Sequence, residues 1–181
     1  ETGVLQPIRE LSSLTHEHGA LFLSDTTQAC GKIHVDIREE GIDLCTVSGH
    51  KIYGPKGCGA LYVRRKNPRV KLTAQIDGGG HENGLRSGTL NVPGIVGLGA
   101  ASQLAGERLW EDSNTMSALR TSLEQGLLDL NLPGRAKVLI NGNTRHRLPN
   151  TTNLCFPGRK ASSMLAALKH LALSEIGRAH V

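Results

Sequence analysis

An α/β fold is predicted, and three observations predict it. A helical stretch, Pro7 to His18, passes directly into a short apolar run, Ala20 to Leu23, which ends in the polar cluster Ser24-Asp25-Thr26-Thr27-Gln28. A β-branched run, Leu44 to Val47, ends in Ser48-Gly49-His50-Lys51 and a Gly-Pro-x-Gly turn. Strand and helix patterns then recur as far as Leu171. Helix, strand and polar cluster in that order imply layers of helix on sheet, with functional groups at the carboxyl ends of the strands.

Composition limits the possible functions. The 181 residues allow one domain or parts of two, and 38% hydrophobic with 20% charged residues permits a packed core. Aromatics are only 3%, which weighs against base stacking. The net charge of +5 comes from 21 basic and 16 acidic residues spread along the chain, so no nucleic-acid arm is expected. No apolar run approaches the roughly 20 residues that span a bilayer, and no signal peptide is visible, although the chain does not begin with Met. Cys30, Cys45, Cys58 and Cys155 have no metal-ligand spacing and read as reduced, mostly buried thiols of a cytoplasmic protein.

Each element has its own justification. In Pro7 to His18, Ile8, Leu11 and Leu14 fall at helical spacing, Pro7 suits the first turn and Gly19 the C-terminal cap. With the strand Ala20 to Leu23 this makes a Rossmann-like αβ layer. Asp25 either caps a turn or stands as a buried carboxylate opposite a cationic ring nitrogen. Asp43 to Val47 is the next strand. Ser48 and His50 can bond a phosphate there, and Lys51 can form an imine with a carbonyl. Ala60 to Val63 is a further strand, with Arg64-Arg65-Lys66 as its solvated end.

The segment Gln75 to Thr89, with Gly78-Gly79-Gly80 and Arg86-Ser87-Gly88-Thr89, reads as an anion nest or a plain flexible loop. It has neither Walker A nor dinucleotide-fold spacing. Pro93 to about Leu130 reads as two helices broken near Glu111-Asp112-Ser113-Asn114. The second carries the stripe Met116, Leu119, Leu123, Leu127 and Leu130, expected to be core, and Leu132-Pro133-Gly134 ends it. Lys137 to Ile140 and Thr151 to Phe156 read as strands. Ala161 to Leu171 reads as a helix with Met164, Leu165 and Leu168 inward.

The Ser48-Gly49-His50-Lys51 loop, with Asp25-x-x-Gln28 upstream and the Gly78-Gly79-Gly80-x-Glu82…Arg86-Ser87-Gly88-Thr89 segment downstream, strongly resembles the cysteine desulfurases. These are pyridoxal 5'-phosphate enzymes of the class V aminotransferase group. The resemblance runs from Glu1-Thr2-Gly3 to about Ser174. It implies the PLP-dependent transferase fold type I: part of the large mixed-sheet domain over 1–109 and part of a small α+β C-terminal domain over 110–174. It also implies site roles. Lys51 would form the Schiff base, Asp25 would pair with the pyridinium nitrogen, Gln28 would bond the ring oxygen, and Ser48 and His50 would hold the phosphate. Thr89 would reach the phosphate of a partner subunit, hence a homodimer.

By the same resemblance the chain lacks the N-terminal part and the loop carrying the nucleophilic cysteine. Glu175 to Val181 matches a translated sequencing adapter. Cys58, nearest Lys51 in sequence, is not matched to the nucleophile. The chain alone is therefore expected to be inactive, whereas the intact enzyme would take L-cysteine to L-alanine and pass the sulfur as a persulfide to an acceptor such as an iron–sulfur scaffold protein. A selenocysteine lyase or another class V transferase is the alternative within the group. A non-catalytic anion- or nucleic-acid-binding module is the alternative outside it. The expected reading has no metal, nucleic acid or membrane.

Overall fold

The computed structural model describes residues 1–130 and 137–175. The element order is α1 (Ile8–Glu17), β1 (Leu23–Asp25), β2 (Leu44–Ser48), a 3-10 turn (Gly49–Ile52), β3 (Gly59–Val63), a second 3-10 turn (Glu82–Gly84), α2 (Val92–Glu107), α3 (Leu109–Leu128), β4 (Leu139–Ile140), β5 (Leu154–Cys155) and α4 (Ala161–Ala167). The expected helix end at Leu132-Pro133-Gly134, and the expected adapter tail beyond Glu175, lie outside the described residues.

The chain divides into two compact units, Pro7–Asp112 and Glu1–Gln6 with Ser113–Val181. The division lies close to the expected boundary after residue 109, and the first six residues group with the C-terminal unit. The reason is backbone pairing: Leu5 N–H donates to the His146 carbonyl at 3.0 Å and Leu148 N–H to the Gly3 carbonyl at 2.8 Å.

The unit Pro7–Asp112 is built on a mixed sheet in the order β1-β2-β3. β1 and β2 are parallel, with Leu23 opposite Leu44 and Asp25 opposite Thr46. β2 and β3 are antiparallel, with Leu44 opposite Val63 and Ser48 opposite Gly59. β1 runs through Asp25, so this carboxylate is the last strand residue and not part of a following cluster. The core gathers where β2 begins, at Ile42, Leu44 and Cys45, with Ile52 and Val70.

A buried carboxylate ties this unit together. Asp43 is fully buried. His16 Nε2 of α1 lies 2.7 Å from its Oδ2, and Arg64 Nε, just past β3, lies 3.1 Å from its Oδ1. Phe22 N–H donates to Oδ2 at 2.9 Å. Burial alone would raise the Asp43 pKa, but the Phe22 N–H, the His16 hydrogen bond and the charges of His16 and Arg64 together bring it below the ordinary carboxylate value. Arg64 also donates to the Ile42 carbonyl at 2.9 Å, so it is a half-buried tie, whereas Arg65 and Lys66 are exposed as expected of a solvated strand end.

One helix forms where expected with a polar residue on its buried side, and one helix break lies elsewhere than expected. α1 turns Ser12 inward, its hydroxyl donating to the Glu40 carbonyl at 2.7 Å, while Leu11 and Leu14 are exposed. The break between α2 and α3 falls at Arg108 and not at Glu111-Asp112-Ser113-Asn114. Glu111 and Asp112 instead occupy the first turn of α3, where acidic side chains complement the helix dipole, and Arg108 pairs with Asp112 at 3.1 Å.

In the second unit, β4 and β5 are antiparallel, with Leu139 opposite Cys155. Val138 and Leu148 are buried, and Met164 and Leu165 of α4 with Leu168 just past it are half-buried as expected, although the helix ends at Ala167 and not at Leu171. The buried residue of α3 is Glu124; of the expected stripe, Met116 and Leu127 are half-buried, while Leu119, Leu123 and, past the helix end, Leu130 are exposed. Arg147 Nη2 donates to Glu124 Oε2, and Arg120 Nη1 donates to the Leu148 carbonyl at 2.6 Å. Burial would raise the Glu124 pKa, and the Arg147 hydrogen bond with the charges of Arg147 and Arg120 lowers it overall.

Candidate active site at the carboxyl edge of the sheet

Side chains alternate across a strand, so Thr46 and Ser48 of β2 share one face of the sheet while Cys45 and Val47 take the other. The parallel register sets Asp25 of β1 beside Thr46, on the face of Ser48. Thr46 Oγ1 donates to Asp25 Oδ1 at 2.9 Å, and Thr27 N–H donates to the same oxygen at 3.0 Å. Hydrogen bonds from the Thr27 side chain and backbone, then from Thr46, hold the Asp25 carboxyl below its ordinary value, against a small opposing effect of burial. Asp25 is therefore an anionic group at the carboxyl end of its strand, and it is exposed within this chain, not buried as expected, because it ends β1 at the open edge of the sheet.

β2 ends at Ser48 and the chain turns at once through Gly49–Ile52. The Ser48 hydroxyl lies 3.2 Å from His50 Nδ1, so these two polar groups stand together. Lys51 is exposed in the middle of the turn, with Ile52 buried beneath it. Left-handed Tyr53 closes the turn, its N–H bonded to the Gly49 carbonyl.

α2 supports the turn from below. A Cβ at Gly97 would sit 2.5 Å from Pro55 Cγ, so glycine is what lets the helix touch the Gly54-Pro55 corner. Gln28 lies in the turn after β1, and Lys32 Nζ donates both to Gln28 Oε1 and to the Lys51 carbonyl, each at 3.4 Å.

The structure thus brings Asp25, Ser48, His50 and Lys51 to adjoining ends of two parallel strands, with Gln28 linked to Lys51 through Lys32. Asp25, Gln28, His50 and Lys51 are exposed, so within this chain they line an open face and not an enclosed cavity. The groove lined by Cys30, Ile33, Val47, Ile52, Ala105 and Leu109 belongs to the Val47 side of the sheet. Thr89 is exposed in the loop before α2. Sequence reasoning passed over Thr46 and Lys32. The signal for Thr46 was its position two residues before Ser48, which strand alternation places on the same face.

Among the described residues no cluster of His, Cys, Asp or Glu has the arrangement of a metal site, and no helix is long and apolar enough to cross a membrane.

A carboxylate, a lysine and phosphate-sized donors on the carboxyl edge of a mixed sheet define a protein of the α/β class with a candidate ligand site at its strand ends. The sequence pattern described as Aminotransferase class-V matches residues 1–177, and the chain belongs to that family. Cysteine desulfurase IscS of Anaeromyxobacter sp. (strain Fw109-5) is 47% identical over 177 residues, covering 96% of this chain and 42% of the relative. The crystal structure of a NifS-like protein from Rickettsia africae superposes with a TM-score of 0.85 at 38% identity, covering 94% of this chain and 45% of that one. The structure titled SspA in complex with cysteine matches with a TM-score of 0.53 at 46% identity, over 57% of this chain and 29% of that one. The chain therefore spans less than half the length of the relatives it matches.

Proposed function

We propose that this chain is part of a pyridoxal-phosphate-dependent cysteine desulfurase, which takes sulfur from L-cysteine and leaves L-alanine. The observation that carries this reading is the anionic Asp25 and the Ser48–Lys51 turn at adjoining ends of parallel strands. Relatives named cysteine desulfurase and a matching structure titled as a complex with cysteine support it.

The residues present fit the cofactor. Asp25 is held ionised by its hydrogen bonds and faces outward, as a partner for a cationic ring nitrogen must be. Ser48 and His50 offer adjacent donors for a phosphate, and Lys51 offers an accessible amine. When bound, pyridoxal phosphate supplies an electron sink for the pair left at the substrate α-carbon.

The chain's own groups do the rest. The Asp25 carboxylate keeps a proton on the ring nitrogen, Gln28 orients the ring through its oxygen, and Ser48 with His50 anchors the phosphate. The Lys51 amine moves a proton at the substrate α-carbon. Thr89 serves the phosphate of a second copy in a homodimer. The sulfur would pass to a cysteine other than the four of this sequence; Cys45 among them is buried, and burial pushes its thiol pKa up. From there it goes to an acceptor such as an iron–sulfur scaffold protein, in the cytoplasm.

The test uses the full-length protein that contains this chain. After addition of pyridoxal phosphate, borohydride reduction and peptide mapping, the label is expected on Lys51. Sulfide and alanine release from L-cysteine is expected to disappear in Lys51→Ala. Label on Lys32 or Lys56, or turnover that survives Lys51→Ala, would overturn the assignment.

A further inference from the structure

Lys32 joins two of the segments that carry the candidate site. The turn after β1 is compact, with Ala29 and Cys30 N–H both bonded to the Thr26 carbonyl and Lys32 N–H to that of Ala29. This winding sets Lys32 over Gln28, four residues back, and its Nζ reaches Gln28 Oε1 at 3.4 Å. The same Nζ reaches the Lys51 carbonyl at 3.4 Å, in the turn after β2.

A second contact brings these two turns together. Gly31 has φ +71°, and a Cβ there would stand 2.8 Å from Ile52 Cγ2 and 3.1 Å from Ala105 Cβ. Glycine is therefore required for the first turn to press against Ile52, the residue after Lys51. That close approach delivers the Lys32 ammonium to the Lys51 backbone.

Lys32 is half-buried, and burial lowers its pKa, with the nearby Lys51 charge adding in the same direction. A flexible lysine stem would ordinarily extend to solvent to avoid both effects. Here the ammonium stays with two oxygen acceptors from different turns.

We propose that Lys32 is a positioning residue, one that holds the Gln28 side chain and the Lys51 turn at a set spacing so that both meet one bound cofactor. The inference rests on the cofactor reading above. It adds a residue that would touch neither the cofactor nor the substrate but would act through Gln28 and the Lys51 backbone.

The experiment compares Lys32→Met and Lys32→Arg with the parent in the full-length protein, using pyridoxal phosphate as the probe. Lys32→Met is expected to weaken cofactor binding about tenfold, the size expected for lost hydrogen bonds from a charged donor. It should also reduce the visible circular dichroism of the bound cofactor, which reports how fixedly the ring is set. Lys32→Arg, which keeps a cation able to reach two acceptors, should restore both. Lys32→Gln replaces the methionine variant if that variant does not fold, with the same weakening expected. Binding and dichroism equal to the parent in the methionine or glutamine variant would overturn the positioning role while leaving the cofactor reading intact. A parent protein that takes no borohydride label at Lys51 would overturn both.

Discussion

Thr46 donates its hydroxyl to the Asp25 carboxylate at 2.9 Å, across the register that pairs these residues on parallel strands. The bond joins the two strands at the edge where the ligand groups collect. It also helps to hold Asp25 ionised. The anion at this edge is thus a property of strand pairing as well as of the aspartate itself.

Thr46→Val removes that donor while keeping the β-branched shape. The Asp25 pKa is expected to rise toward its ordinary value of 3.8, though not fully, because the Thr27 hydrogen bonds remain. The folded-state pKa of Asp25 is depressed, so its contribution to stability is complete above the unfolded value and is lost as pH falls through the folded one. Carbon-13 NMR titration of the carboxyl group, parent against variant, checks this. An unchanged midpoint would show that the Thr46 bond does not set the ionisation.

Asp43→Asn leaves His16 and Arg64 without their anion inside the unit Pro7–Asp112. Breaking a buried ion pair from one side costs about 3–5 kcal/mol, and urea unfolding should give a loss of that size. The Asp43 pKa is lowered in the fold, so in the parent this stabilisation is present above the ordinary carboxylate value and fades as pH falls through the folded one. A loss below about 1 kcal/mol, the range of a surface pair, would contradict the tie described here.

Gly97→Ala places a Cβ 2.5 Å from Pro55 Cγ, too close without movement of α2 or of the Gly54-Pro55 corner. The expected cost is about 1–3 kcal/mol, as for overpacking of a filled interior. Amide exchange should quicken at Gly49–Tyr53, the turn that carries Lys51. Faster exchange confined to α2 would mean that the helix yields and the turn does not depend on it.

The parts of the fold that were legible in the sequence were those announced by local chemistry. Apolar runs ending in polar groups marked β1 and β2, and with them the edge where Asp25, Ser48 and Lys51 stand. The extent of β1 was misjudged because Asp25, though polar, continues the ladder opposite Thr46. The stripe of leucines on α3 correctly marked a helix, but it could not reveal that the buried face is held by Glu124 and Arg147, since ion pairing across the fold leaves no periodic trace. The same holds for Arg64, one of three consecutive basic residues and the one whose neighbour in space is Asp43. Lys32 escaped notice because its partners come from two turns that only the folded chain brings together.

The pairing of Val4 with Arg147 has a consequence for biosynthesis. The second unit takes its strand-like first segment from the very beginning of this sequence and the rest from after Asp112, so the other unit is threaded between its two parts. A ribosome delivers Glu1–Gln6 long before the segment that receives it. Loop-closure entropy for so long an intervening stretch is lowered once that stretch has already condensed. Connectivity thereby imposes an order: Gly3 and Leu5 can make their bonds to Leu148 and His146 only after all of Pro7–Asp112 has been synthesised.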